Sequence, residues 1–482
     1  MMIFKLLWIM WLGLCIFTKS YALPSPVEES AFVKKIHDSM QHMSDLSIWP
    51  QNDIHLKPTL LHFTNHHNYA LQFQPTNPHW QLLSEFSPFV YFLEKDEYQL
   101  DKIPLSYGKA IDGQSPFYIY QYIEKTGERN SFVALHERFH FFQMEHDEFR
   151  FFNFGVYKEL TSLINMALSY LELSAIEDYW LNNQEESLKD YIAITQFRER
   201  TLCKESINYE IGKEVWEGLA NYFAIAALTD ERPIKQQLLQ QERCSKNFEE
   251  NITCQRQLRY YYTGAIAAFA LDNLSVMDWK QKFIEQHLAP RIQLQQLFKM
   301  DEKEINQRVQ SAKERFDFNK SEEQIQLILN DYLKNMNQHL QDFKNQEGTP
   351  LTLFSGFKKT IGASRTESEQ SYFIDSNQEL KIKVTSIETT SDKRYTMETN
   401  ELPYLLSTST STQFKLVPTI EIKIDGKKVN MEALVNSNQV IDFKSLLIFN
   451  SNFMLQLIDL EGLIESNDGA ITIKPKTIKQ KV

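Results

Sequence analysis

The spacing of apolar residues changes once along this chain, and that change does most to limit the fold. From Ser131 to about Gln346 apolar residues return every three or four positions, as in "KELTSLINMALSYLELSAIEDYW", "GKEVWEGLANYFAIAAL" and "YTGAIAAFALDNL". That period matches one face of an α-helix. After "NQEGTP" it falls to two. Leu380, Ile382 and Val384 alternate with Lys381 and Lys383, and Ile420, Ile422 and Ile424 alternate with Glu421 and Lys423. Alternation marks strands buried on one face, and Asp425-Gly426 supplies a hairpin turn. Residues 347–482 are therefore expected to form a β-rich C-terminal domain. Residues 23–130 mix strand-like runs, "YALQF", "PFVYFLE" and "PFYIYQYIE", with Pro- and Gly-containing turns. They read as the N-terminal α/β part of the unit that the helical residues 131–346 complete, which makes the chain α+β.

Length and charge narrow the rest. A chain of 482 residues with 42% hydrophobic residues can bury more than one core. Its net charge of −12 argues against a nucleic-acid surface, which needs a basic stripe. The basic tail "KPKTIKQKV" reads as a solvated end. At the other terminus Lys5 precedes the apolar run "LLWIMWLGLCIF", with the small residues Ser20 and Ala22 just beyond. That is the pattern of a signal peptide cut after about residue 22. The mature chain is expected to be secreted or periplasmic, with no stable membrane insertion. It would keep Cys203, Cys244 and Cys254, of which Cys244 and Cys254 close the shortest loop. Asn251, Asn273 and Asn319 begin N-x-S/T triplets, and His62, His66 and His67 read as surface histidines.

One segment carries chemistry. "FVALHERFHFFQMEH", residues 132–146, contains His136-Glu137-Arg138-Phe139-His140, an H-E-x-x-H pattern set among apolar residues. Residues four apart on a helix lie on one face about 5–6 Å apart, so both imidazoles can reach one zinc ion. Glu137 then stands close enough to take a proton from a zinc-activated water without being a ligand. Two candidates compete for third ligand. His136 to His146 reads H-E-x-x-H-x-x-Q-x-x-H, similar to the metzincin motif but with Gln143 where that motif has glycine. In a continuous helix His146 would sit about 240° round from His140, and it needs a sharp turn that glycine permits and glutamine does not. Met166, in "LINMALSY", reads as mid-helix rather than as a methionine turn.

The other candidate is Glu217, in the apolar setting "EVWEGLANYFA", with Glu214 as a fallback one turn earlier. H-E-x-x-H followed by a glutamate on a later helix resembles the gluzincins, the thermolysin-like superfamily of zinc metallopeptidases. The E-G-L-A-x-Y pattern and the later "RYYYTGAIAAFALDNL" resemble divergent members of it. The likeness spans about residues 131–280. It implies a zincin-like catalytic domain, Zn2+ held by His136, His140 and Glu217, Glu137 as general base, and a peptide or protein substrate. Where many gluzincins place an aspartate four residues after the glutamate, this chain has Asn221. The resemblance also implies an oxyanion-stabilising tyrosine among Tyr260, Tyr261 and Tyr262, with Tyr262 preferred. "PFYIYQYIE" is expected to offer a sheet edge to an extended peptide. The alternative function is an exported binding or adhesion protein on the same fold, with a structural or vestigial metal site.

Overall fold

The structure is a computed structural model. It describes residues 26–45, 49, 59–63, 67–72, 78–84, 86, 90–94, 107–110, 116–121, 128–152, 161–241, 259–354, 361–374, 378–390, 394–407, 411–416, 420–450, 452–467 and 470–476. The expected signal peptide, His66, Cys244, Cys254 and Asn251 lie outside them. The chain is mixed helix and sheet and divides into two compact units, 1–101 with 105–145 and 223–238, and 102–104 with 146–222 and 239–482.

The first unit opens with helix α1 (Pro26–Asp45), within a stretch expected to be mixed and strand-like. Six short strands follow among the described residues: β1 (Thr59–His62), β2 (Asn68–Leu71), β3 (Gln81–Leu82), β4 (Val90–Leu93), β5 (Tyr107–Ala110) and β6 (Pro116–Gln121). They form one sheet in the order β3-β4-β2-β1-β6-β5, antiparallel except for the parallel pair β1 and β6. The "PFYIYQ" strand β6 is thus not an edge. It pairs with β1 on one side and β5 on the other, because the short segment Tyr107–Ala110 folds back on it. One of the expected surface histidines is inside and another is half-buried. His62, 3% exposed, hydrogen-bonds Asn68 Oδ1 from Nδ1 at 2.7 Å. His67 Nδ1 lies 2.9 Å from the buried Glu29 carboxylate, which also accepts from Tyr69 Oη at 3.1 Å. The cause is α1, whose Phe32 meets Phe63 edge to face and whose Glu29 needs donors once it leaves water. Helix α2 (Glu128–Glu145) follows β6 and carries the H-E-x-x-H residues.

In the second unit the helices are α3 (Leu163–Asn182), α4 (Glu185–Thr201), α5 (Lys204–Lys213), then a π-helical turn Glu214–Gly218 leading into α6 (Leu219–Leu228). The boundary between units falls inside α6, after Tyr222. Helix α7 (Arg232–Gln241) starts in the first unit and ends in the second, which continues with α8 (Arg259–Asn273), α9 (Trp279–Gln286), α10 (Pro290–Phe298), α11 (Glu302–Arg315) and α12 (Phe318–Asn345). Met166 is buried in α3, mid-helix as expected.

From Thr349 the described residues are almost all strand, and twelve strands among them form one sheet. Its long central strand, Tyr395–Ser407, pairs along one side with Gln378–Thr390. Along the other it takes Phe453–Leu457 and then Ser411–Leu416 in succession. The last strand, Ala470–Pro475, lies parallel to the first, Thr349–Phe354. Ile422 and Ile424 are buried, and Asp425 and Gly426 take φ values of 48° and 78° in the tight turn expected of them. No helix among the described residues is long and apolar enough to cross a membrane.

Candidate metal centre

Helix α2 is built to hold polar groups inside an apolar shell. Phe132, Leu135, Phe139 and Phe142 are buried, so the alternating three- and four-residue spacing that places them inward also draws in His136. His136 and His140, one turn apart, meet with ring centroids 4.5 Å apart at 89°. His136 is buried, while His140 and Glu137 are half-buried. Phe139 stacks on Phe223 of α6 at 4.5 Å, and Trp49 meets it edge to face at 5.8 Å. Helix α6 runs back without a break into the π-turn that carries Glu217.

His136, His140 and Glu217 each offer a ligand atom, and these atoms lie within 4.8 Å of one another. Tetrahedral zinc with bonds near 2.0–2.1 Å would set ligand atoms about 3.3 Å apart, so these atoms would have to draw closer around an ion. Two imidazoles and a carboxylate form a donor set suited to zinc, with a fourth position left for water or substrate. The residues fit the ion.

The other sequence candidates fall elsewhere. Helix α2 stops at Glu145, so the chain does leave the helix at His146, at φ −112°. His146 is nevertheless outside the metal-capable group, and its Nδ1 lies 3.5 Å from Glu148. Glu214 is occupied, accepting from Arg291 at 2.5 Å and from Thr263 Oγ1 at 2.7 Å. Glu217 lies 3.4 Å from the Lys213 ammonium, one turn back. Asn221 is buried and donates its amide to the Tyr261 carbonyl at 3.1 Å. Tyr262 is fully buried, its hydroxyl accepting from Gln240 at 3.3 Å, whereas Tyr261 is half-buried. That setting lends no support to a role for Tyr262 at an oxyanion.

Three features escaped the sequence reading. The first is Gln143, wholly buried, whose Oε1 stands 2.7 Å from His140 Nδ1. Its position three residues after His140, on one helical face, was the available signal. The second is a glycine crossing. A Cβ on Gly218 would meet Gly264 Cα at 2.5 Å, and one on Gly264 would meet the Glu214 carbonyl at 2.6 Å. The glycines of "WEGLA" and "YTGAI" thus let the π-turn and α8 touch backbone to backbone, which seats Glu217.

The third is a buried ion network behind that turn. Arg198 grips Glu210 with both guanidinium nitrogens, at 2.6 and 2.8 Å, and also donates to Glu172, Asn165 and Ser169. Arg259 reaches Glu210, and Arg291 bridges Glu172 and Glu214. Burial pushes the Glu210 carboxyl up, but the Arg198, Arg259 and Arg291 charges outweigh it and hold it at about 2. Burial raises Glu214, against the pull of Arg291. Glu210, depressed when folded, contributes stability that is complete above the ordinary 4.5 and is lost as pH falls towards 2. Glu214 works in the opposite sense. Denaturant midpoints of the wild type are therefore expected to drop between pH 4.5 and 2. Glu210→Gln, weaker at pH 7, should lose less over that window, and equal losses would remove Glu210 as the cause.

No protein-family model, curated protein or solved structure matches this chain.

Proposed function

We propose that this protein is an exported zinc-dependent metallopeptidase of the gluzincin type, with a zincin-like catalytic region. The observation that carries the reading is the convergence of His136, His140 and Glu217 from two separate helices, with Glu137 one residue from a ligand. A site that merely stored metal would have no need of that glutamate. His136 and His140 contribute neutral nitrogens and Glu217 one carboxylate oxygen. Zinc, when bound, acidifies water to a pKa near 7 and polarises the scissile carbonyl. Glu137 takes the proton from the attacking water and returns it to the leaving amine. The apolar residues of α2 hold these groups in a setting of low dielectric, where each charge acts more strongly.

The test begins with the purified protein. Elemental analysis is expected to find one zinc per chain, and hydrolysis of a broad peptide library should stop with a chelator and return with zinc. Bound zinc without any cleavage beyond that of Glu137→Gln would defeat the peptidase reading and favour the binding-protein alternative.

A further inference from the structure

We propose that Gln143 is a positioning residue for the metal centre, fixing the proton of His140 on Nδ1 and so presenting Nε2 to the ion; this rests on the zinc reading above. A neutral imidazole has one N–H and one lone pair, and the metal must take the lone pair. At 2.7 Å the Gln143 Oε1 can only accept, so the nitrogen it faces carries the hydrogen. The amide is fully buried, and water does not compete for that contact.

The position gives the contact its reliability. Gln143 stands one turn beyond His140 on the same helix, between the buried Phe142 and the exposed Met144. The helix sets the distance, so the orienting group is in place before any metal arrives. It also explains why glutamine serves at the place where the metzincin-like spacing has glycine. The helix runs on through Gln143 and ends only at Glu145, so the position carries a side chain on the helix rather than a turn. A neutral amide brings no negative charge to the centre. The two imidazoles, Glu217 and Zn2+ leave a net positive site, which favours acidification of water over tightest binding.

Gln143→Met keeps length and volume and removes the acceptor; Gln143→Glu keeps an acceptor oxygen. Imidazole-15N spectra of the metal-free protein should show His140 as a single Nδ1–H tautomer in the wild type and in Gln143→Glu, but as a mixture in Gln143→Met. By competition with a chelating dye, zinc affinity should fall about 10–100-fold in Gln143→Met, the range for lost outer-shell partners. Gln143→Glu should bind at least as tightly as the wild type. The melting midpoint in chelator should change little for Gln143→Met, separating lost orientation from lost packing. An unchanged tautomer with zinc affinity within twofold in Gln143→Met overturns the proposal, as does a tenfold loss in Gln143→Glu. Failure of the wild type to bind zinc, with the tautomer as expected, would sink the metallopeptidase reading and leave the orientation of His140 standing.

Discussion

Glu217→Ala should lower zinc affinity about a thousandfold, whereas Glu137→Gln should leave affinity within a few-fold and slow peptide hydrolysis by about 10²–10⁴. The first figure follows from the roughly 10–16 kcal/mol of structural zinc sites, which shared among the ligands gives about 4 kcal/mol each. The second is the usual contribution of a positioned general base. Neither change should unfold the protein. Glu217's ion pair is with Lys213, which is partly exposed at 23%, and such pairs contribute at most about 1 kcal/mol. Competition titration and elemental analysis separate the two variants, with His146→Ala as the control. Full zinc in Glu217→Ala together with loss in His146→Ala would mean that the third ligand has been misassigned. Loss of zinc in Glu137→Gln would make that glutamate a ligand rather than a base.

Gly264→Ala should destabilise the helical unit by about 3 kcal/mol and weaken zinc binding with it. Overpacking commonly costs about 1–3 kcal/mol, and this site belongs at the upper end. The added carbon would lie 2.6 Å from the Glu214 carbonyl oxygen and 3.0 Å from Glu214 Cα, and backbone cannot rotate aside as a side chain can. The helices must separate, and the π-turn bearing Glu217 moves with them. Gly218→Ala should act alike, and the double variant should cost less than the sum because one separation relieves both clashes. Gly426→Ala is the contrast: nothing lies within 4 Å of its Cβ position. Its positive φ of 78° should cost only about 1–2 kcal/mol. Denaturant midpoints and zinc titrations check both. A Gly264→Ala protein as stable as the wild type, with unchanged zinc affinity, would mean that the crossing does not position the glutamate.

Much of this was legible in the chain because helix and strand periods are local. The shift to alternation after Gln346 matches strands beginning at Thr349, and Asp425-Gly426 turns where a two-residue hairpin needs positive φ. Other parts were not. Helix α1 lines up Phe32, Val33, Ile36 and Met40, but the partners of Phe32 and Glu29 lie on and beside strands β1 and β2, well along the chain. The edge at Tyr107–Ala110 was hidden because four residues carry too little periodicity to declare a strand. Buried arginines such as Arg198 look like surface residues until the three glutamates that meet them are brought near.

The sequence by itself determined that two histidines share a helical face with a glutamate beside them, since a spacing of four and a pitch of 3.6 residues leave no other outcome. It also narrowed the third ligand to a few residues. Only the tertiary structure tells their surroundings apart, because proximity across folded elements is not written in spacing. It engages Glu214 with Arg291 and Thr263, sets His146 beside Glu148, and leaves Glu217 with a ligand atom within 4.8 Å of those of the two histidines. It also paired Gly218 with Gly264, and set Gln143 to orient the ligand one turn before it.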